Sequence, residues 1–143
     1  MTTKKDAINA LKILDGFICK DELHAIADAM RREEKQFFFD KLVEMAGVIA
    51  TMPKTYEQDG KGDEAIAYLH YFNAGNQNWW ITEKDMETPD EPGQHQAFGL
   101  ANLGSYGAEL GYISIAELIA HDVELDLYFK PQTLGEIKAK RAA

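Results

Sequence analysis

The sequence predicts an α+β fold: N-terminal helices followed by a small, mostly antiparallel sheet of about four strands, with a helix between the last two. Three observations predict it. Apolar residues recur at helical spacing in three successive segments up to Ile49. A loop-like stretch, Pro53–Glu64, then breaks the pattern with a proline, two glycines and four carboxylates. Beyond it, short apolar and aromatic runs alternate between turn signals. A run of helices followed by a run of strands gives segregated layers, with helices packed across one face of the sheet.

The first segment, Thr3–Asp15, places Ala7, Ile8, Ala10, Leu11 and Leu14 on one helical face. Thr2 or Thr3 can cap it, Asp6 suits its first turn, and Gly16 is a natural C-terminal stop. The second, Lys20–Met30, carries Leu23, Ile26, Ala27 and Met30, with Asp21 and Glu22 near its start. Arg31–Gln36 is wholly polar, and the apolar phase resets after it, so a turn is expected near Arg32–Lys35. Phe37, Phe38, Leu42, Met45, Ala46 and Ile49 form the stripe of a third helix that ends before Pro53. Phe39 falls off the centre of that stripe, as a contact with a neighbour or in a helix buried on two sides.

In the second half, Ala65–Phe72 and Asn78–Asp85 read as a hairpin across the turn Asn73–Gln77. Glu87–Gln94 is a loop, and Ala97–Leu103 a third strand whose Gly99 points to a close backbone approach or a bulge. Gly104–Gly107 turns the chain, and Leu110–Ile113 is a short extended piece. Ser114 and Glu117 form a capping box for a helix with Ile115, Leu118 and Ile119 as its apolar face. Asp122–Lys130 alternates as a half-buried strand, with Val123, Leu125, Leu127 and Phe129 on one side. Pro131 stops it, and Thr133–Arg141 is a polar helix or a fraying tail.

The 143 residues read as a single domain, residues 1–143, with a helical part over 1–52 and a sheet-containing part over 53–137. The net charge of −9 argues against direct nucleic-acid binding, which needs clustered cations, and against docking on anionic lipid. Cys19 is the one cysteine, so no intrachain disulfide forms. No signal peptide is evident, and no apolar run approaches the roughly 20 residues of a membrane span. A cytoplasmic location is expected.

Several motifs occur in order: Pro53-x-x-Tyr56-x-Gln58, Ala67-Tyr68-Leu69-His70-Tyr71-Phe72, Asn78-Trp79-Trp80-Ile81-Thr82-Glu83, and Ala97-Phe98-Gly99. Glu109 to Ser114 with Glu117-Leu118, and Asp126-Leu127-Tyr128-Phe129, follow them. The series resembles a bacterial family, domain of unknown function 2958, over residues 53–137. The resemblance implies a bacterial, plasmid or phage setting and carries over no catalytic residue and no mechanism.

The four histidines, His24, His70, His95 and His121, show no metal-ligand spacing, so no metal and no cofactor are expected. Asp59-Gly60-Lys61-Gly62-Asp63 lacks both the twelve-residue calcium pattern and the Gly-Lys-Ser/Thr of a phosphate loop. No nucleophile elbow surrounds Ser105 or Ser114, and no dinucleotide fingerprint follows a strand.

Strand alternation puts Tyr68 and His70 on one face and Trp80 and Thr82 on another that can lie beside it, with Trp79 and Ile81 in the core. Aromatic residues with hydrogen-bonding tips favour a recognition surface. Glu83 and Asp85 share a strand face, and Glu83, Asp85, Glu87, Asp90 and Glu91 form an acidic run. The expected binding residues are therefore Tyr68, His70, Trp80, Thr82, Glu83 and Asp85. The expected function is a non-enzymatic interaction module whose acidic surface meets a protein partner. The alternatives are a small hydrolase using His70, Tyr68 and Glu83, or an acidic inhibitor that mimics nucleic acid.

Overall fold

The computed structural model describes residues 1–104 and 107–142, so Ser105 and Tyr106, in the expected turn between Gly104 and Gly107, lie outside the described residues. Helix α1 (Lys4–Leu14) opens on a capping box. The Asp6 N–H donates to the Thr3 hydroxyl at 3.2 Å, and the Thr3 N–H donates to the Asp6 carboxylate at 2.9 Å. The bond from the Thr3 N–H, chiefly, holds the Asp6 carboxyl below its ordinary range. Ala7, Ala10 and Leu14 are buried, while Ile8 remains exposed.

Helix α2 (Lys20–Ala29) follows, and a turn separates it from α3 (Lys35–Thr51). The buried stripe of α3 is Phe39, Leu42, Met45, Ala46 and Ile49. Phe39 is thus core, whereas Phe37, expected on the stripe, is exposed and meets Tyr128 at a ring separation of 6.0 Å. The α1 and α3 helices pack side by side through these residues, forming a layer over the sheet.

The main sheet has five strands rather than about four, all antiparallel, in the order β5-β4-β3-β2-β6. They are β2 (Leu69–Phe72), β3 (Asn78–Glu83), β4 (Ala97–Asn102), β5 (Ala108–Ile113) and β6 (Glu124–Leu125), with α4 (Ile115–Ala120) between the last two. A separate pair joins β1 (Ile66–Ala67) to β7 (Gln132–Thr133).

Two expected strands are cut short. Ala65–Phe72 breaks at Tyr68: Ala67 belongs to one core and Leu69 to the other, so the alternation resets there. Asp122–Lys130 contributes only Glu124–Leu125. The Asp126 N–H still donates to the His70 carbonyl, but the Tyr128 N–H turns back to the Asp126 carboxylate at 2.9 Å. That aspartate-led turn ends the strand.

The sheet is buried on both faces. Leu69, Tyr71, Ile81, Ala97 and Ile113 meet the α1–α3 layer and α4. On the opposite face Trp80 and Leu100 meet Ala65, Ala67, Leu134 and Ile137. The last two residues belong to α5 (Leu134–Ala142), which docks as a helix through this apolar contact. Burying two such side chains contributes about 1.5–3 kcal/mol each. The exposed Lys138–Asp63 ion pair, at 2.7 Å, adds less than about 1 kcal/mol. No helix among the described residues is long and apolar enough to cross a membrane.

Candidate functional site

Strand β3 decides where the candidate residues point. Its register with β4 runs Trp80 to Leu100 and Ile81 to Gly99, then slips, so that Glu83 rather than Thr82 stands opposite Phe98. A bulge therefore sits at Thr82. Without it, Glu83 would share the face of Ile81, as simple alternation predicts. With it, Glu83 turns to the face of Trp80, Leu100 and Phe98.

Glu83 is 2% exposed and lies on the wall of a cleft of about 450 Å3. One carboxylate oxygen accepts the Gln58 N–H at 2.7 Å. The other lies 3.2 Å from the Thr82 hydroxyl, which is also 3.2 Å from the Phe98 carbonyl. A hydroxyl has one proton, so Thr82 serves one of these acceptors at a time. Among the described residues no lysine, arginine or histidine forms an ion pair with Glu83.

The mouth of the cleft is aromatic. Tyr56 and Tyr112 are exposed, and their hydroxyls bond at 2.6 Å. Tyr112 also meets Phe98 edge-to-face, with ring centres 5.7 Å apart. The bond from Tyr56, chiefly, raises the Tyr112 pKa above the ordinary phenol value. Tyr56 holds a left-handed backbone at φ 79°, a conformation that costs a non-glycine residue about 1–3 kcal/mol.

The loop that carries Tyr56 is pinned from beneath. The Gln58 side-chain amide donates to the Ile66 and Thr82 carbonyls, each at 2.8 Å, and its oxygen accepts the Ile66 N–H at 2.8 Å. Thr55 is buried, with its hydroxyl 2.7 Å from the Gln96 carbonyl. Leu110, half-exposed on β5, forms part of the rim. The charged residues lining the cleft, Asp59 and Glu83, are both acidic.

The other expected site residues are placed differently. His70 and Trp80 do pair across β2 and β3, with rings stacked at 5.2 Å and 9°. Their face is not open: Trp80 is 3% exposed beneath α5, and the Arg141 guanidinium lies over its ring at 5.1 Å. Both ring nitrogens of His70 are engaged, Nδ1 with the Asp126 carboxylate at 3.0 Å and Nε2 with the Asn78 amide oxygen at 2.8 Å. Phe72 and Phe129 flank the imidazole. The His70 hydrogen bond, chiefly, holds the Asp126 carboxyl below its ordinary range.

Tyr68 packs toward the helical core, away from His70. Thr82, expected to be exposed, is buried at the bulge. His70, Tyr68 and Glu83 are not brought together: neither His70 nor Tyr68 lines the Glu83 cleft.

Asp85 organises its own loop, accepting the N–H groups of Glu87 at 3.0 Å, His95 at 3.1 Å and Gln96 at 2.9 Å. Glu87 in turn accepts from the Gly93 N–H and the Gln94 amide. Glu83, Asp85 and Glu87 of the acidic run are therefore occupied by internal bonds. Among the described residues no set of three His, Cys, Asp or Glu side chains could hold a metal ion.

Tyr56, Gln58, Phe98, Leu110 and Tyr112 were not identifiable as site residues by spacing, because they come from a loop and two strands that only the sheet brings together. All five fall within the motif series of the second half, but nothing in that series marks them as sharing a site. No family model, no curated protein and no solved structure matches the chain.

Proposed function

We propose that the chain is a non-catalytic protein-interaction module that takes an extended segment of a partner along β5, with the Tyr56–Tyr112 cleft receiving one anchoring side chain. One observation carries this reading. β5 is an edge strand of six residues, largely exposed, and it borders the aromatic cleft directly through Leu110 and Tyr112. An edge strand offers unpaired N–H and C=O groups, and an adjoining pocket supplies side-chain selection. The acidic lining favours a partner with basic character. A cytoplasmic module of bacterial or mobile-element origin fits this reading and the resemblance noted in the second half of the chain.

The hydrolase reading has no such support, because its three residues do not share a cleft. A nucleic-acid mimic needs outward carboxylates spaced like phosphates, and three of the five in the acidic run are turned to internal bonds.

Selection from a random displayed-peptide library tests the proposal, with the Leu110→Lys variant as counter-target. Leu110 is 48% exposed, so the change leaves the core intact. Peptides that bind the native chain and lose about tenfold or more on the variant, the scale of a lost interface anchor, support the module. Failure to enrich any family, or equal binding to the variant, removes it.

A further inference from the structure

We infer that the cleft recognises an organic cation on an apolar stem, so that the anchoring side chain of the partner segment is an arginine or a lysine. This rests on the edge-strand reading above and specifies its chemistry. Three features of the cleft point the same way. Glu83 is almost fully withdrawn from solvent, yet its hydrogen bonds come from neutral donors and no described cation pairs with it. A carboxylate so placed is stabilised by a further N–H donor, most strongly by a charged one.

The second feature is the shared Thr82 proton. Whenever Thr82 donates to the Phe98 carbonyl, one oxygen of Glu83 is left with spare acceptor capacity at the cleft wall. A guanidinium or ammonium entering from the mouth supplies that hydrogen and frees Thr82 to remain on Phe98. The third feature is the route. Phe98, Leu110 and Leu134 form apolar walls for a methylene stem, and the tyrosine rings at the mouth offer π faces that attract cations. With Asp59 as the other charged lining residue, the whole path is electronegative.

The devices that build this cleft are individually unfavourable, which argues against a chance gap. The bulge interrupts the ladder at Thr82, Tyr56 is strained, and a carboxylate is buried. Each converges on the same space.

The test is titration of the full 15N-labelled chain with n-butylguanidinium and with n-butylurea, its neutral counterpart of similar shape, followed by amide chemical shifts. The guanidinium should perturb Gln58, Gly60 and Thr82 saturably and bind about tenfold or more tighter than the urea, the scale of a hydrogen bond to a charged group. Glu83→Gln should remove that preference while its dispersed spectrum reports an intact fold. The comparison of the two probes on the native chain stands even if the variant does not fold. Equal binding of the urea, perturbation confined to Asp90 and Glu91, or a preference undiminished in Glu83→Gln overturns the inference. Displayed peptides that lose affinity on Leu110→Lys but contain no basic residue would also end it, while leaving the edge-strand reading in place.

Discussion

The carbonyl oxygen of Trp80 lies 1.9 Å from the point where a Cβ on Gly99 would stand. That is far inside van der Waals contact, and the obstacle is backbone, which cannot swing aside. The approach lies directly beside the bulge at Thr82 that aims Glu83 into the cleft. Gly99→Ala is therefore expected to destabilise the chain by about 3 kcal/mol or more, the range of severe overpacking. Urea unfolding followed by tryptophan emission measures it, and a loss below about 1 kcal/mol would show that the β3–β4 pairing relaxes easily.

Glu22 predicts an unusual pH response. Its carboxylate accepts the Leu125 N–H at 2.7 Å, and burial, reinforced by Glu124 and Asp126, raises its pKa to about 7 from 4.5. The folded state therefore holds this proton more tightly than the unfolded chain. Its penalty is absent below the unfolded value of 4.5, grows as pH rises through that value, and levels off above about 7. Glu22→Gln keeps an acceptor for Leu125 and removes the charge. It should raise the melting temperature at pH 8 and leave it unchanged at pH 4, as read by calorimetry.

Asp126 works in the opposite sense. Its carboxyl is held low by His70 first, with burial opposing and the Tyr128 N–H assisting. Its contribution is present above the ordinary carboxylate range and is lost as pH falls through the lowered folded-state value. Asp126→Asn should cost about 1–2 kcal/mol at pH 7, the scale of a hydrogen bond to a charged group. The difference from the native chain should shrink in acid denaturation as pH falls below the ordinary carboxylate range.

Docking of α5 is expected to rest on apolar contact rather than charge. Leu134 is 1% exposed, and Leu134→Ala should cost about 2–4 kcal/mol. Lys138→Ala, which breaks the ion pair with Asp63, should cost under about 1 kcal/mol. A red shift of tryptophan emission in the leucine variant, absent in the lysine variant, would report exposure of Trp80.

At Tyr56 stability and binding should part. Tyr56→Gly relieves the left-handed strain, worth about 1–3 kcal/mol, but adds the chain entropy of a glycine and removes the hydroxyl bond to Tyr112. Its stability should be within about 1 kcal/mol of native while peptides selected on the native chain lose affinity. A variant that bound such peptides undiminished would take Tyr56 out of the site.

The fold class was legible because the helical stripes and the capping signals at Thr3 and Ser114 are local. Gly99 announced its close approach for the same reason: one residue without a side chain inside a strand pattern. Phe39 and Phe37 exchanged roles because adjacent aromatic residues fit either of two helical phases, and only the packing partner chooses. Trp80 and Thr82 were misplaced for a deeper reason. Whether a sheet face is open depends on what folds over it, and α5 is joined to β3 only through tertiary contact. The candidate site was less legible still. The Thr82 bulge follows from the pairing of two strands and has no signature within either, so Glu83 could not be assigned to the Trp80 face from alternation alone.

That bulge lets β3 carry one residue more than its ladder with β4 uses. Deletion of Thr82 would remove that extra residue, bring Glu83 directly after Ile81 and leave the carboxylate opposite Phe98 on the Trp80 face. A strand that kept every residue in regular pairing would instead set Thr82 opposite Phe98 and turn Glu83 toward the apolar layer beneath α1 and α3. A strand aligned to β3 without regard to this extra residue would have its inside and outside exchanged from that point onward.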